Sequence, residues 1–226
     1  MTDGAVRAAF AAEAAELARV MLGLEPAVFD RPTRCRPWSV ADLLAHVRTA
    51  IGRLVEMLAA PPPDAAEVDA AGYYRPDRRF EPDVDAARVA AAIRDAAEAG
   101  GPALARDFDR TWREVAALVA AEPPGQLVTT RHGDPMTLTD FLVTRVVELV
   151  VHGLDLADGL GVEPWTTEPG AAVVQDLLRD AGGREVAEKF GWDGPELMRK
   201  ATGRTPLTGV ERRYLAEHPA TWLAFG

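Results

Sequence analysis

Apolar residues recur every three or four positions along most of this chain, the period of an amphipathic helix, and the breaks in that rhythm mark its elements. A first helix is predicted from about Asp3 to Leu24, with Phe10, Leu17, Val20, Met21 and Leu24 on one face. A loop containing Pro32 and Pro37 follows. The second helix has a well-marked start, with Ser39 as N-cap, Asp42 completing a short capping box, and Trp38 and Leu43 placed as a hydrophobic staple. Val40, Leu43, Leu44, Val47, Ile51, Leu54, Val55 and Leu58 form its apolar stripe, and "PPPD" from Pro61 to Asp64 ends it.

Residues 65–83 read as a loop, with Gly72, Pro76 and Pro82 and two adjacent aromatics, Tyr73 and Tyr74. A third helical region spans about Val84 to Ala121, broken near Gly100 and Gly101, with Pro102 suited to the first turn of the second half. "QLVTTRHGDPMTL" alternates like a very short hairpin around Gly133. A fourth long helix is predicted from Leu138 to Leu160, and shorter helical pieces follow Pro164. The pattern predicts an all-α fold: a four-helix bundle over residues 1–165, with a short β-hairpin before its last helix, and a helical C-terminal extension over 166–226.

The fourth helix breaks its own pattern. Its sequence, "TRVVELVVHGLDLADG", is nearly all aliphatic, yet Asp140, Thr144, Glu148, His152 and Asp155 fall within about a third of the circumference. One reading is a plain solvent-facing stripe. The other is a pocket wall on which Glu148 and His152, one turn apart, ligate a metal. Three further histidines exist: His132 in the hairpin, His218 beside Pro219, and His46 at the flank of the second helix's stripe. The ring of His46 could also be satisfied by a backbone carbonyl or by Asp42 one turn earlier.

Composition narrows the function. The 226 residues are 48% hydrophobic and 27% charged, as in ordinary globular proteins. A net charge of -10 with no basic block leaves nothing to release counterions from a nucleic acid. Cys35 is the only cysteine, which excludes internal disulfides and Cys-rich zinc sites. The acidic N-terminus lacks the form of a signal peptide, and no uncharged run could span a bilayer, so a soluble cytoplasmic protein without a membrane partner is expected.

Two motifs then add a resemblance. "CRPWSVADLLAHV", from Cys35 to Val47, resembles the Gly-Trp-Ser/Thr-x-x-Asp-x-x-x-His signature of DinB-like bundles, with Arg36-Pro37 where glycine is frequent. "RVVELVVHGLDLADGLG", from Arg145 to Gly161, resembles the Arg-x-x-Glu-x-x-x-His-x-x-Asp signature. Both belong to the mycothiol-dependent maleylpyruvate isomerase N-terminal domain family. The resemblance implies an up-down bundle in which His46, Glu148 and His152 bind one divalent metal at one end, zinc first, with nickel or iron as alternatives. It also implies mycothiol or a similar low-molecular-weight thiol as cosubstrate, deprotonated by the metal, and a small electrophilic substrate. In the reaction that names the family, the thiol adds to a cis double bond, rotation follows and the thiol leaves. Asp42 and Asp155 would hold ring N–H groups of the ligands, or be a cap and a surface charge respectively.

The naming isomerase carries a separate α/β domain with an arginine needed for activity, whereas the last sixty residues here read as helical. In them Arg204 is a candidate for an anionic substrate group, or for a loop ion pair with Glu211. Tyr73 and Tyr74 are candidates for a lid over the pocket. The expected activity is thus that of a metal-dependent thiol transferase or isomerase. A metal-dependent hydrolase and a non-enzymatic metal-binding regulator are the alternatives, and a homodimer is compatible with each.

Overall fold

The computed structural model describes residues 1–75 and 81–218. Pro76, in the predicted loop, and residues 219–226 of the extension lie outside them. Among the described residues ten α-helices and one hairpin follow in order: α1 (Asp3–Leu22), α2 (Val40–Ala59), α3 (Ala70–Tyr73), α4 (Pro82–Ala99), α5 (Gly101–Ala121), β1 (Leu127–Thr129), β2 (Pro135–Thr137), α6 (Leu138–Leu160), α7 (Glu168–Leu178), α8 (Arg184–Phe190), α9 (Gly194–Ala201) and α10 (Gly209–Glu217). Among the described residues no helix is long and apolar enough to cross a membrane.

The bundle is built from α1, α2, α5 and α6. Helices α5 and α6 each pack on both α1 and α2, which puts α1 and α2 on one diagonal and α5 and α6 on the other. Crossing a diagonal needs a long connection, and residues 23–39 and 122–137 supply them. The antiparallel hairpin, Leu127 opposite Thr137 and Thr129 opposite Pro135, lies in the second of these. The core is one apolar cluster that includes Phe10, Leu17, Leu44, Ile51, Phe108, Val115, Leu142 and Leu149.

Two helix starts work as their sequences imply. Ser39 Oγ accepts from the Asp42 N–H, and Asp42 Oδ2 accepts from the Ser39 N–H at 2.8 Å, closing the capping box of α2. Thr137 caps α6 in the same manner, accepting from the Asp140 N–H. The third helical region differs from expectation, because its halves are separate elements with separate tasks. Helix α5 is the bundle member, with a continuous buried face from Leu104 to Val119. Helix α4 buries only two alanines, Ala92 and Ala96, and lies mainly against α2, forming an outer wall there.

The C-terminal pieces share the bundle's core rather than trailing from it. Helix α7 packs on α1 and α6, with Val173 and Val174 in the common cluster. Its first turn is held by a carboxylate from α1: Glu13 Oε2 accepts from the Thr167 N–H at 2.9 Å and its hydroxyl at 2.6 Å. Gly170 faces the same oxygen with no room for a Cβ. Further on, Glu211 ties the tail together, accepting from Trp192 Nε1 at 2.8 Å, the Thr208 N–H at 2.6 Å and Lys200 Nζ. Burial works against the charge of Glu211, but these donors outweigh it and hold its pKa down to about 2.

Glu13 leads to a pH prediction. It is 1% exposed, and burial raises its pKa above the ordinary carboxylate value despite the Thr167 donors. A group with a raised folded-state pKa contributes full stability below its unfolded pKa and loses it as pH rises through the folded one. Glu13→Gln, which mimics the protonated acid, should therefore match the wild type in Tm near pH 4. It should become the more stable chain as pH rises toward 8. A gap that is the same at both pH values would show that Glu13 is not the titrating group.

Candidate metal centre

The site forms where the N-terminal half of α2 meets the C-terminal half of α6. His46 lies in the second turn of α2, and its ring stacks on Trp38 with centroids 4.8 Å apart, so the capped start of the helix also orients the imidazole. Glu148 and His152 face it from α6, one turn apart. His46 Nε2 lies 3.4 Å and His152 Nε2 3.3 Å from the same oxygen, Glu148 Oε2. The three donor atoms all lie within 4.8 Å of one another.

The stripe on α6 is therefore not a solvent face. Thr144 and Asp155 are 0% exposed, and Glu148 and His152 are mostly covered. Around the three residues opens a cavity of about 530 Å3, the size of a small-molecule site. Its walls come from α2, α4, α6, the Tyr73–Tyr74 turn, the hairpin and the Gly203–Arg204 turn.

The donors fit a divalent ion. With metal–ligand bonds of about 2.0–2.2 Å, neighbouring ligands of a tetrahedral site stand roughly 3.4 Å apart, as each imidazole nitrogen does from the Glu148 oxygen. Two imidazoles and one carboxylate leave a position open, and the donor types suit zinc, nickel or iron. The electrostatics of Glu148 and His46 agree. Burial disfavours ionised Glu148, yet His152, His46 and Arg145, 3.8 Å away, hold its pKa well below the usual range. Burial lowers the pKa of His46, which favours the neutral imidazole that a ligand must be.

His152 is oriented from behind. Its Nδ1 lies 3.0 Å from Asp155 Oδ2, which leaves Nε2 for the cluster. Asp155 is in turn held by Arg204, whose Nε and Nη2 donate to its two oxygens at 2.9 and 2.5 Å. Cys35 Sγ donates to Asp155 Oδ2 as well, at 3.1 Å. Burial opposes the charge on Asp155, but His152 and Arg204 keep its pKa far below normal. The same network raises the pKa of His152 well above its usual value, against burial. Arg34 completes the clamp by donating to the Arg204 and Gly203 carbonyls at 2.9 and 3.1 Å. Gly203 adopts φ +71°, a left-handed conformation that lets the turn present Arg204 inward.

Several expectations need correction. Asp42 is spent on the α2 capping box, accepting from the Ser39 N–H and hydroxyl, and bonds no ring N–H of the cluster. Tyr74 is no lid: it is 5% exposed and its hydroxyl donates to the Thr144 carbonyl. Tyr73 is half-buried in the cavity wall, edge-on to Tyr74 and Phe141. Arg204 neither pairs with Glu211, which takes Lys200, nor leaves its fork free for a substrate, since Asp155 occupies it. Two contributors were not singled out from sequence. Cys35 lies within the first motif, and Arg145 opens the second, buried and donating to the Ala50 carbonyl at 3.1 Å.

The geometry agrees with what the chain resembles. The family model described as mycothiol maleylpyruvate isomerase N-terminal domain matches residues 10–157. Among solved structures, the mycothiol-dependent maleylpyruvate isomerase shares the fold at 13% identity and a TM-score of 0.54, over 82% of this chain and 73% of that one. A histidine-to-alanine mutant of that enzyme gives the same score and identity over 81% and 72%. No curated protein sequence matches. With its family model covering both motifs and most of the bundle, the chain belongs to the mycothiol maleylpyruvate isomerase N-terminal domain family.

Proposed function

We propose that this protein is a metal-dependent thiol transferase or isomerase, working with mycothiol or a similar cytoplasmic thiol on a small electrophile. The observation that carries this reading is the convergence of two imidazole nitrogens on one carboxylate oxygen at the wall of a substrate-sized cavity. His46, Glu148 and His152 would hold the ion, and a bound divalent ion supplies a strong drop in the pKa of a coordinated thiol. The remaining work falls to the protein. Asp155 fixes the tautomer of His152, Arg204 and Arg34 keep Asp155 in place, and Trp38 holds the plane of His46. Arg145 balances the Glu148 charge. The aromatic and aliphatic wall formed by Trp38, Val147 and Val151 keeps bulk water from the reacting end.

Calorimetric titration of the zinc-loaded chain with mycothiol, glutathione and bacillithiol tests this. Saturable binding of at least one thiol is expected, releasing about one proton per site, and the chelated protein should lose it. Equal thiol binding with and without metal, or thiol-independent hydrolysis of esters or amides, would overturn the proposal.

A further inference from the structure

The cavity wall carries far more positive charge than a chain of net charge -10 leads one to expect: seven arginines against three carboxylates. Most of that charge is already spent. Arg204 and Arg34 are committed to Asp155 and backbone carbonyls. Arg145 donates to the Ala50 carbonyl, Thr144 Oγ1 and the Tyr73 hydroxyl, with Glu148 beside it. Arg88 lies 3.8 Å from Asp85.

Arg53 is different. It lies on the face of α2 that carries His46, Thr49 and Ala50 into the cavity, about 10 Å further along the helix axis than His46. It is half-buried and forms no hydrogen bond or ion pair among the described residues. Arg131, from the hairpin turn, lines the same end, and its Nε donates to His132 Nε2 at 3.1 Å. Burial, then mutual repulsion among Arg53, Arg131 and Arg145, lowers the pKa of Arg53. Uncompensated guanidinium charge at a partly dry wall is costly, and a carboxylate offers two oxygens in the matching planar geometry.

We propose that Arg53 and Arg131 form a carboxylate-binding subsite that orients an anionic electrophile with its reacting carbon toward His46, Glu148 and His152. The inference deepens the thiol-transfer reading by giving the electrophile a charge, and rests on that reading for what reacts but not for what binds. It is chemically coherent, because thiolates add readily to carbons polarised by a carbonyl or carboxyl group. The acidic remainder of the surface gives such a ligand this local basic end to settle in.

The test is calorimetry of the full chain with succinate, and with succinamide as its uncharged counterpart, in zinc-loaded and chelated forms. Succinate should bind at least tenfold tighter than succinamide in both. Arg53→Gln should weaken succinate at least tenfold, the size of a lost charge-assisted hydrogen bond, and Arg53→Lys less, while both should keep zinc affinity within about twofold of wild type. Saturating mycothiol should leave succinate binding in place. Equal binding of the two probes, an unaffected Arg53→Gln, or displacement of succinate by mycothiol would each overturn the assignment. Zinc retained with no succinate binding sinks this subsite alone. Succinate binding to a chain that takes no zinc sinks the metal reading and supports the subsite.

Discussion

Glu148→Gln should leave the purified protein almost without divalent metal, where the wild type should carry about one ion per chain. The substitution keeps the shape of the side chain and removes its charge. That charge is what makes the three donors a cation site: His46 Nε2 and His152 Nε2 both point at Glu148 Oε2, and two neutral imidazoles alone bind a divalent ion weakly. The amide also offers one oxygen instead of two, and its nitrogen would face either the imidazoles or Arg145. A loss of metal affinity of at least a hundredfold is expected, read by chelator competition and elemental analysis, and His152→Ala should match it. Folding must be followed in parallel, since Arg145 loses its counter-charge and the chain should lose about 1–3 kcal/mol. Circular dichroism of the chelated forms separates the two effects. A folded Glu148→Gln chain with a full complement of metal would remove these three residues as the ligand set.

How much of this arrangement was legible in the sequence depends on the range of the interaction. The bundle helices, the Ser39 cap and the bounds of α6 follow from periodicity and capping chemistry, which act within a turn or two. Glu148 and His152 are visible for the same reason, since an imidazole four residues from a carboxylate disturbs an aliphatic run. His46, by contrast, is joined to them only by the resemblance of two motifs about a hundred residues apart. The misreadings concern residues with two plausible partners. Asp42 had a local one, the cap, and kept it. Arg204 had a local acid, Glu211, but its turn aims it at Asp155, 49 residues away. Lys200, four residues earlier and on α9, reaches Glu211 instead. Tyr74 sits beside loop residues yet finds a buried carbonyl on α6. No local pattern encodes such choices, because they are settled by how residues 166–218 and 65–75 dock on the bundle.

The Asp155–Arg204 pair joins that docking to the candidate site, and the joint can be tested. Asp155 is 0% exposed and Arg204 nearly so, at 7%. Removing one member of a buried pair strands the other charge, so Asp155→Ala should cost about 3–5 kcal/mol in chemical denaturation. It should also weaken metal binding about 10–100-fold, because His152 loses the acceptor that holds its Nδ1 proton and its ring. The two losses have different causes and should separate in the double variant. Asp155→Ala with Arg204→Ala leaves no stranded guanidinium and should recover much of the stability. It should recover none of the metal affinity, since nothing replaces the acceptor behind His152. Arg204→Ala alone should be destabilised, but should bind metal more tightly than either chain lacking Asp155, because the Asp155–His152 contact survives within α6. If the double variant regains metal affinity along with stability, Asp155 acts only by anchoring the extension, and its role in orienting His152 is wrong.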